Sequence, residues 1–277
     1  MEFLTFPYMK NALIASLLVG FSCAYLSAFI ILRRIVFVGI VLSQLTILGL
    51  SVSLYFQLQE GAKLLVGFLF TLAGVLYITS PPYSRKIPAD AILGMGFAGF
   101  YAFGLLFMAK STRGLEEIHH LMSGNILSIS PFELKVLFIS VLVLVFFHVF
   151  FYRKFVFISF DPEFARVLGL KVWLWEFLFY LSLGLLISVS IHMVGLNYVF
   201  SSLVFPGVIG LILCTSLVPV QLVSIVSALC TAFFGVWFSY SYDFPTAESI
   251  ISLQAVLFIV VLCLTWFFAK NKEKGNG

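Results

Sequence analysis

The chain has 277 residues, of which 62% are hydrophobic, 17% aromatic and only 10% charged, with a mean hydropathy of +1.13. Soluble domains carry about 25% charged residues, so the composition excludes one, and the length is better counted in bilayer crossings. The formal net charge of +4 is small, and no block of like charge points to a nucleic acid, which leaves membrane lipid as the surroundings.

The opening MEFLTFPYMKN carries an acid and no basic segment, so the first apolar run is expected to stay as a span and not to leave as a signal peptide. A spanning helix needs about 20 mostly apolar residues. Candidate spans cover 11–32, 35–56, 62–79, 89–109, 133–152, 174–194, 199–214, 220–239 and 248–269. The seventh is short and holds Pro206 within SSLVFPGVIG, so it reads as broken or only partly crossing, and the expectation is eight to nine transmembrane helices. No alternation of the kind a lipid-facing barrel needs is present, and the fold class is all-α. One transmembrane domain is expected over 1–269, followed by a polar, disordered cytoplasmic tail over 270–277.

Basic residues choose between the two counts. Nine crossings place Arg33, Arg34, Arg85, Lys86, Arg153, Lys154, Arg166, Lys171, Lys270, Lys272 and Lys274 on one side. Lys10, Lys63, Lys110, Arg113 and Lys135 fall on the other. Eight crossings would divide the 16 basic residues evenly. The positive-inside rule therefore favours nine, with the C-terminus cytoplasmic.

Chemistry-bearing groups are few. Cys23, Cys214, Cys230 and Cys263 lie far apart in apolar runs and read as buried free thiols. The loop RGLEEIHHLMSG gathers Glu116, Glu117, His119 and His120, which together could capture a dication at the mouth of a path, although a solvated loop has the same composition. It is not HExxH, and no catalytic constellation appears in the spans, so an enzyme is not expected. Within the spans His148 and His192 are the main ionisable groups, and that scarcity argues against a stripped cation crossing on charged ligands. Asp90 and Asp243 read as helix caps. Gln44, Ser201, Ser202 and Asn197 can line a central path or equally glue helices together.

One segment stands out from the apolar background. In SFDPEFARVLGL, at about 159–170, Asp161 suits an N-cap, Pro162 the first helical position, Glu163 the positive end of the dipole and Gly169 a stop. Phe164, Val167 and Leu168 follow a helical spacing and make one apolar face. Two turns are marginal alone in water, so this helix needs a surface: lipid, its own domain, or a groove on a cytoplasmic partner.

FDPEFARVLGL resembles the cytoplasmic loop of the zinc/manganese/iron ABC importer permeases, the ABC-3 family. LRRIVFVGIVLSQLTILG, ADAILGMGFAGFYAFG, HLMSGNILSISPFEL, VGLNYVFSSLVFPG and SYDFPTAESI are similar to further family segments in the same order. The resemblance implies an ABC importer permease fold and a coupling helix built from Asp161, Pro162, Glu163, Phe164, Ala165, Val167, Leu168 and Gly169, gripped by an ABC ATPase subunit. It further implies a second permease copy or paralogue, an extracytoplasmic solute-binding protein and a place in the inner (plasma) membrane. This chain has no GxxxxGK-S/T phosphate loop, so ATP belongs to the partner and no cofactor is expected here.

The family's metal path usually holds an aspartate and, one turn later, a histidine in the second span. Here those positions are Ile40 and Gln44, with Ser43 beside them. Isoleucine offers no donor and a neutral amide is a weak one. A divalent transition metal (zinc, manganese or iron) is the implied cargo. A chelated metal, a small organic molecule, or a scaffold that transports nothing are the alternatives.

Overall fold

The structure is a computed structural model and describes residues 6–79, 89–111, 121–124 and 126–275. In chain order the helices are α1 (Pro7–Leu32), α2 (Val36–Tyr55), α3 (Glu60–Thr79), α4 (Ala89–Lys110) and α5 (Pro131–Phe150). Then come α6 (Tyr152–Phe160), α7 (Pro162–Val167), α8 (Val172–Val194), α9 (Leu196–Leu213), α10 (Leu217–Tyr242) and α11 (Thr246–Gly275). A 3-10 turn at Ile126–Ser128 precedes α5. Among the described residues nine helices, all but α6 and α7, are long and apolar enough to cross a bilayer. An apolar run closes into a helix because hydrocarbon offers its backbone amides no other partner.

The doubtful seventh span is one of these nine, long and apolar enough to cross. It is the 18-residue helix α9, which continues through Pro206. Tyr198 Oη donates to the Ser16 carbonyl at 2.7 Å, and the Gly207 N–H donates to Ser27 Oγ at 2.9 Å. The paired numbers rise together, so α9 runs parallel to α1 from one face of the bundle toward the other. The proline removes a ladder hydrogen bond, and Ser27 supplies an acceptor beside the break.

Helices α1, α9, α10 and α11 form one packed group, α2, α3 and α4 a second, and α8 lies between them. Gln254 Nε2 on α11 donates to Ser202 Oγ on α9 at 3.1 Å. In the second group the Thr46 and Thr71 hydroxyls meet at 2.7 Å. Trp173 Nε1 on α8 donates to the Thr79 carbonyl at the end of α3 at 2.9 Å. Helix α5 sits against α1 and α8 and opens on a capping box, with Ser130 and Glu133 satisfying each other's backbone N–H. Buried hydroxyls such as Ser16, Ser43, Ser51 and Thr71 donate to the carbonyl four residues back, so they add no unpaired donor to the interior.

Nine crossings give the bundle a face 1, where α1 begins, and a face 2, where α1 ends. Arg33, Arg34, Arg153, Lys154, Arg166 and Lys171 collect at face 2. Lys10, Lys63, Lys110 and Lys135 lie toward face 1.

Four expectations change. Only Cys23 is buried, whereas Cys214 is partly covered and Cys230 and Cys263 are exposed on helix surfaces, because apolar runs in a membrane have an outward side as well as an inward one. Asp243 does not cap the last span. It ends α10 in a left-handed conformation, φ 55°, which aspartate tolerates better than most residues. The expected disordered tail is helical as far as Gly275, its lysines and glutamate being good helix formers. Finally, α6 went unforeseen, hidden at the end of an apolar run. The Asp90 side chain lies outside the described residues.

A single residue, Gly195, joins α8 to α9 at φ +84°. A Cβ there would sit 2.6 Å from the Ser123 carbonyl carbon and 2.8 Å from Gly124 Cα. Gly195→Ala is expected to cost roughly 2–4 kcal/mol, from the left-handed backbone and the overlap together. Thermal unfolding in detergent should show the lowered midpoint.

Candidate functional site

The residues that set α7 apart are its ends. Asp161, with φ −145° and ψ 83°, accepts the Phe164 N–H on Oδ1 at 2.8 Å, Pro162 occupies the first turn, and Glu163 stands near the positive end of the helix. At the other end the Gly169 N–H donates to the Arg166 carbonyl and the Leu170 N–H to the Ala165 carbonyl, both at 3.0 Å. Gly169 has φ +78°, so the helix closes in a Schellman motif. Both caps stand where the residue types require them.

One side of α7 is seated and the other is bare. Ala165 is fully buried against Ile158 on α6 and Val172 on α8, with Leu170 and Trp175 packed beside them. It therefore anchors the helix from the side opposite the apolar face of Phe164, Val167 and Leu168. Phe164 is 48% exposed, Val167 83% and Leu168 54%. Among the described residues Phe164 makes one ring contact, with Phe157 on α6 at 6.2 Å between centroids. Two exposed apolar side chains on the six-residue helix, and Leu168 at its C-cap, are not packed under the described part of the chain's own bundle.

Helix α6 holds α7 at a fixed place. Phe155 and Ile158 are buried. The Lys154 ammonium lies 4.5 Å from the Trp175 ring centroid and 5.0 Å from that of Phe151. Tyr152 Oη donates to Gln221 Oε1 on α10 at 3.1 Å, and burial pushes its phenol pKa above the ordinary value. Nearby, the Arg33 guanidinium stacks 4.7 Å over Phe179 and approaches Glu176 at 3.5 Å, pinning the α1–α2 turn to α8. Arginine and aromatic residues together make face 2 a rigid platform.

The candidate path residues divide between two helices. On α2, Ile40 is partly covered, Ser43 is buried and donates to the Gly39 carbonyl at 2.8 Å, and Gln44 is buried with Oε1 lacking a hydrogen-bond partner. On α9, Ser201 is buried and donates to the Tyr198 carbonyl at 3.0 Å, Ser202 accepts from Gln254, and Asn197 is exposed near the helix start. The structure thus ties Ser202 to α11, and no hydrogen bond links the α2 residues to those on α9. Gln254, whose own Oε1 also lacks a partner, escaped the sequence reading because a single glutamine in a long apolar run gives no periodic signal. Glu116, Glu117, His119 and His120 lie outside the described residues. Among the described residues no group of three or more metal-ligating side chains gathers. His192 stands 3.8 Å from Glu133 at face 1, and His148 bonds Ser182 deep in the bundle.

Nine membrane-length helices and a short capped helix set out on one face define a polytopic α-helical membrane protein. The chain belongs to the ABC 3 transport family, whose model matches residues 5–265. It is 30% identical over 263 residues to a probable iron transport system membrane protein of Haemophilus influenzae, covering 95% of each chain. A manganese transport system membrane protein, MntC, of Halalkalibacterium halodurans is 27% identical over 280 residues, covering 98% of this chain and 90% of that one. The chelated iron transport system membrane protein YfeD of Yersinia pestis is 29% identical, covering 93% and 85%. Among solved structures, PsaBC from Streptococcus pneumoniae in complex with Fab superposes with a TM-score of 0.83 over 94% of both chains at 22% identity, so the two share a fold.

Removing the Asp161 carboxylate tests the local cap. Asp161→Ala should cost α7 about 1 kcal/mol and speed amide exchange there about five-fold. Exchange in α1 and α8 should stay unchanged.

Proposed function

We propose that this chain is the membrane-spanning subunit of an ATP-binding cassette importer and that α7 is the seat of a separate ATPase. The observation that carries the reading is the helix capped at both ends, anchored through Ala165, with Phe164, Val167 and Leu168 facing outward. A bilayer offers a weak alternative explanation, since Arg153, Glu163 and Arg166 are exposed on the same projecting unit. The excess of basic residues supports a cytoplasmic face 2, with the C-terminus inside. The ATPase then closes on α7 and tilts the spans attached to it. Face 1 receives cargo from a solute-binding protein, and a second permease, a copy or a paralogue, completes the assembly.

Cargo follows from the relatives, whose names give manganese, iron and chelated iron; zinc is the remaining metal that the family resemblance implies. Ile40, Ser43 and Gln44 offer no strong donor to a bare ion. A buried amide oxygen without a partner suits an ion that keeps its water or its chelator, with Gln44 accepting a hydrogen bond from that outer layer. The chelated form is therefore the second reading for the cargo. Ser201, Ser202 and Asn197 are the further path candidates. Glu116, Glu117, His119 and His120 remain the candidates for capture at the outer mouth.

The coupling reading is tested with Phe164→Asp. A carboxylate in the centre of the docking face should weaken ATPase association roughly 30-fold or more and abolish uptake, while the melting of the isolated subunit stays unchanged. Normal association and uptake in that variant would remove α7 from the mechanism. Vesicles containing the full assembly should accumulate manganese or iron only with ATP. Failure with manganese, iron and zinc, free and chelated, would overturn the cargo.

A further inference from the structure

His148, in the last turn of α5, is fully buried where four helices meet. Its ring stacks on Phe155 of α6 at 4.4 Å between centroids and 10° between planes. Phe179 of α8 lies at 5.8 Å and Phe29 of α1 at 6.5 Å. Tyr25 of α1 meets it edge-on, at 5.7 Å and 86°. The imidazole is thus the common neighbour of the platform helix α6 and of three spans, α1, α5 and α8.

The neighbouring hydrogen bonds favour one tautomer. With Ser182 Oγ donating to the Phe179 carbonyl at 2.8 Å, the hydroxyl accepts from His148 Nε2, also at 2.8 Å. The neutral ring therefore carries its proton on Nε2 and presents a lone pair on Nδ1. That atom is buried and has no partner. Tyr25, whose ring meets the imidazole edge-on, has a buried Oη that likewise finds no partner among the described residues. A donor and an acceptor of matching type thus stand unpaired in one cluster, each at an energetic disadvantage that their pairing would remove.

We propose that His148 is a positioning residue with two arrangements: the one observed, bonded to Ser182 alone, and a second in which Nδ1 also accepts the Tyr25 hydroxyl. Motion of α6 reaches the ring through the Phe155 stack, and the ring passes it to α1 by taking up Tyr25. The cluster is a bistable element between the ATPase seat and the spans, biased by whichever position α6 adopts. This rests on the reading of α7 as that seat, since α7 is anchored on α6 through Ile158.

The test uses the complete assembly in vesicles, with manganese or iron as cargo and ATP hydrolysis measured in parallel. Tyr25→Phe leaves the observed packing intact and removes only the second arrangement. Metal moved per ATP should fall about ten-fold, the worth of one buried hydrogen bond, with ATPase association and melting unchanged. His148→Phe, which fills the same space without nitrogen, should give the same fall. Ring-nitrogen NMR of His148 should show Nδ1 becoming hydrogen-bonded when the ATPase is trapped closed, and not in Tyr25→Phe. A wild-type ratio of metal to ATP in Tyr25→Phe, or an Nδ1 signal indifferent to ATPase closure, overturns the proposal and leaves the permease reading standing. A wild-type assembly that moves no metal removes the permease reading, and this proposal with it.

Discussion

Every amide placed in hydrocarbon must find its partner inside the protein, and that constraint organises this molecule. It turns the long apolar runs into helices and sends serine and threonine hydroxyls back onto their own carbonyls. It also explains how α9 survives Pro206. Ser27 of α1 accepts the Gly207 N–H beside the break, so the neighbouring helix takes up one backbone donor at that point. Because the Tyr198–Ser16 bond lies further toward face 1 on the same pair, α1 and α9 are joined at two levels. The packed group around α1 follows from that pairing, and face 2 inherits its position from it.

Face 2 then shows how little material is needed to offer a handle. One alanine, Ala165, fixes α7 against α6 and α8, and two caps hold its six residues helical. Everything else on the helix is left for another surface. An apolar trio would be a liability on an isolated soluble protein. It becomes an advantage when a partner covers it. The rings and cations beneath, Lys154 over Trp175 and Arg33 over Phe179, tie the base of α7 to α8.

Much of this was legible in the residues. Span count, helix class and the capped segment all follow from patterns with a direct physical cause: run length, basic asymmetry, and the Asp-Pro-Glu start with its glycine stop. What escaped has causes as well. Pro206 looked like an interruption because the acceptor for the Gly207 N–H beside it lies on another helix, at Ser27, 180 positions from Gly207. Helix α6 was hidden because its aromatic residues continue the apolar signal of α5, and only Arg153 and Lys154 mark the change. Gln254 and the partners of His148 depend on which helix faces which, and no local pattern encodes that. Of the expected path residues, Ser202 and Asn197 went to different environments, one bonded to α11 and one exposed, for the same reason.

The lone glycine between α8 and α9 has a mechanical meaning beyond its backbone angles. With no slack in the connection, neither helix can slide along its axis without carrying the other with it in the same direction. Any displacement entering α8 at face 2 is thus passed to α9 through the turn at face 1. The pair should relax as one body, with a single time constant where a longer linker would permit two.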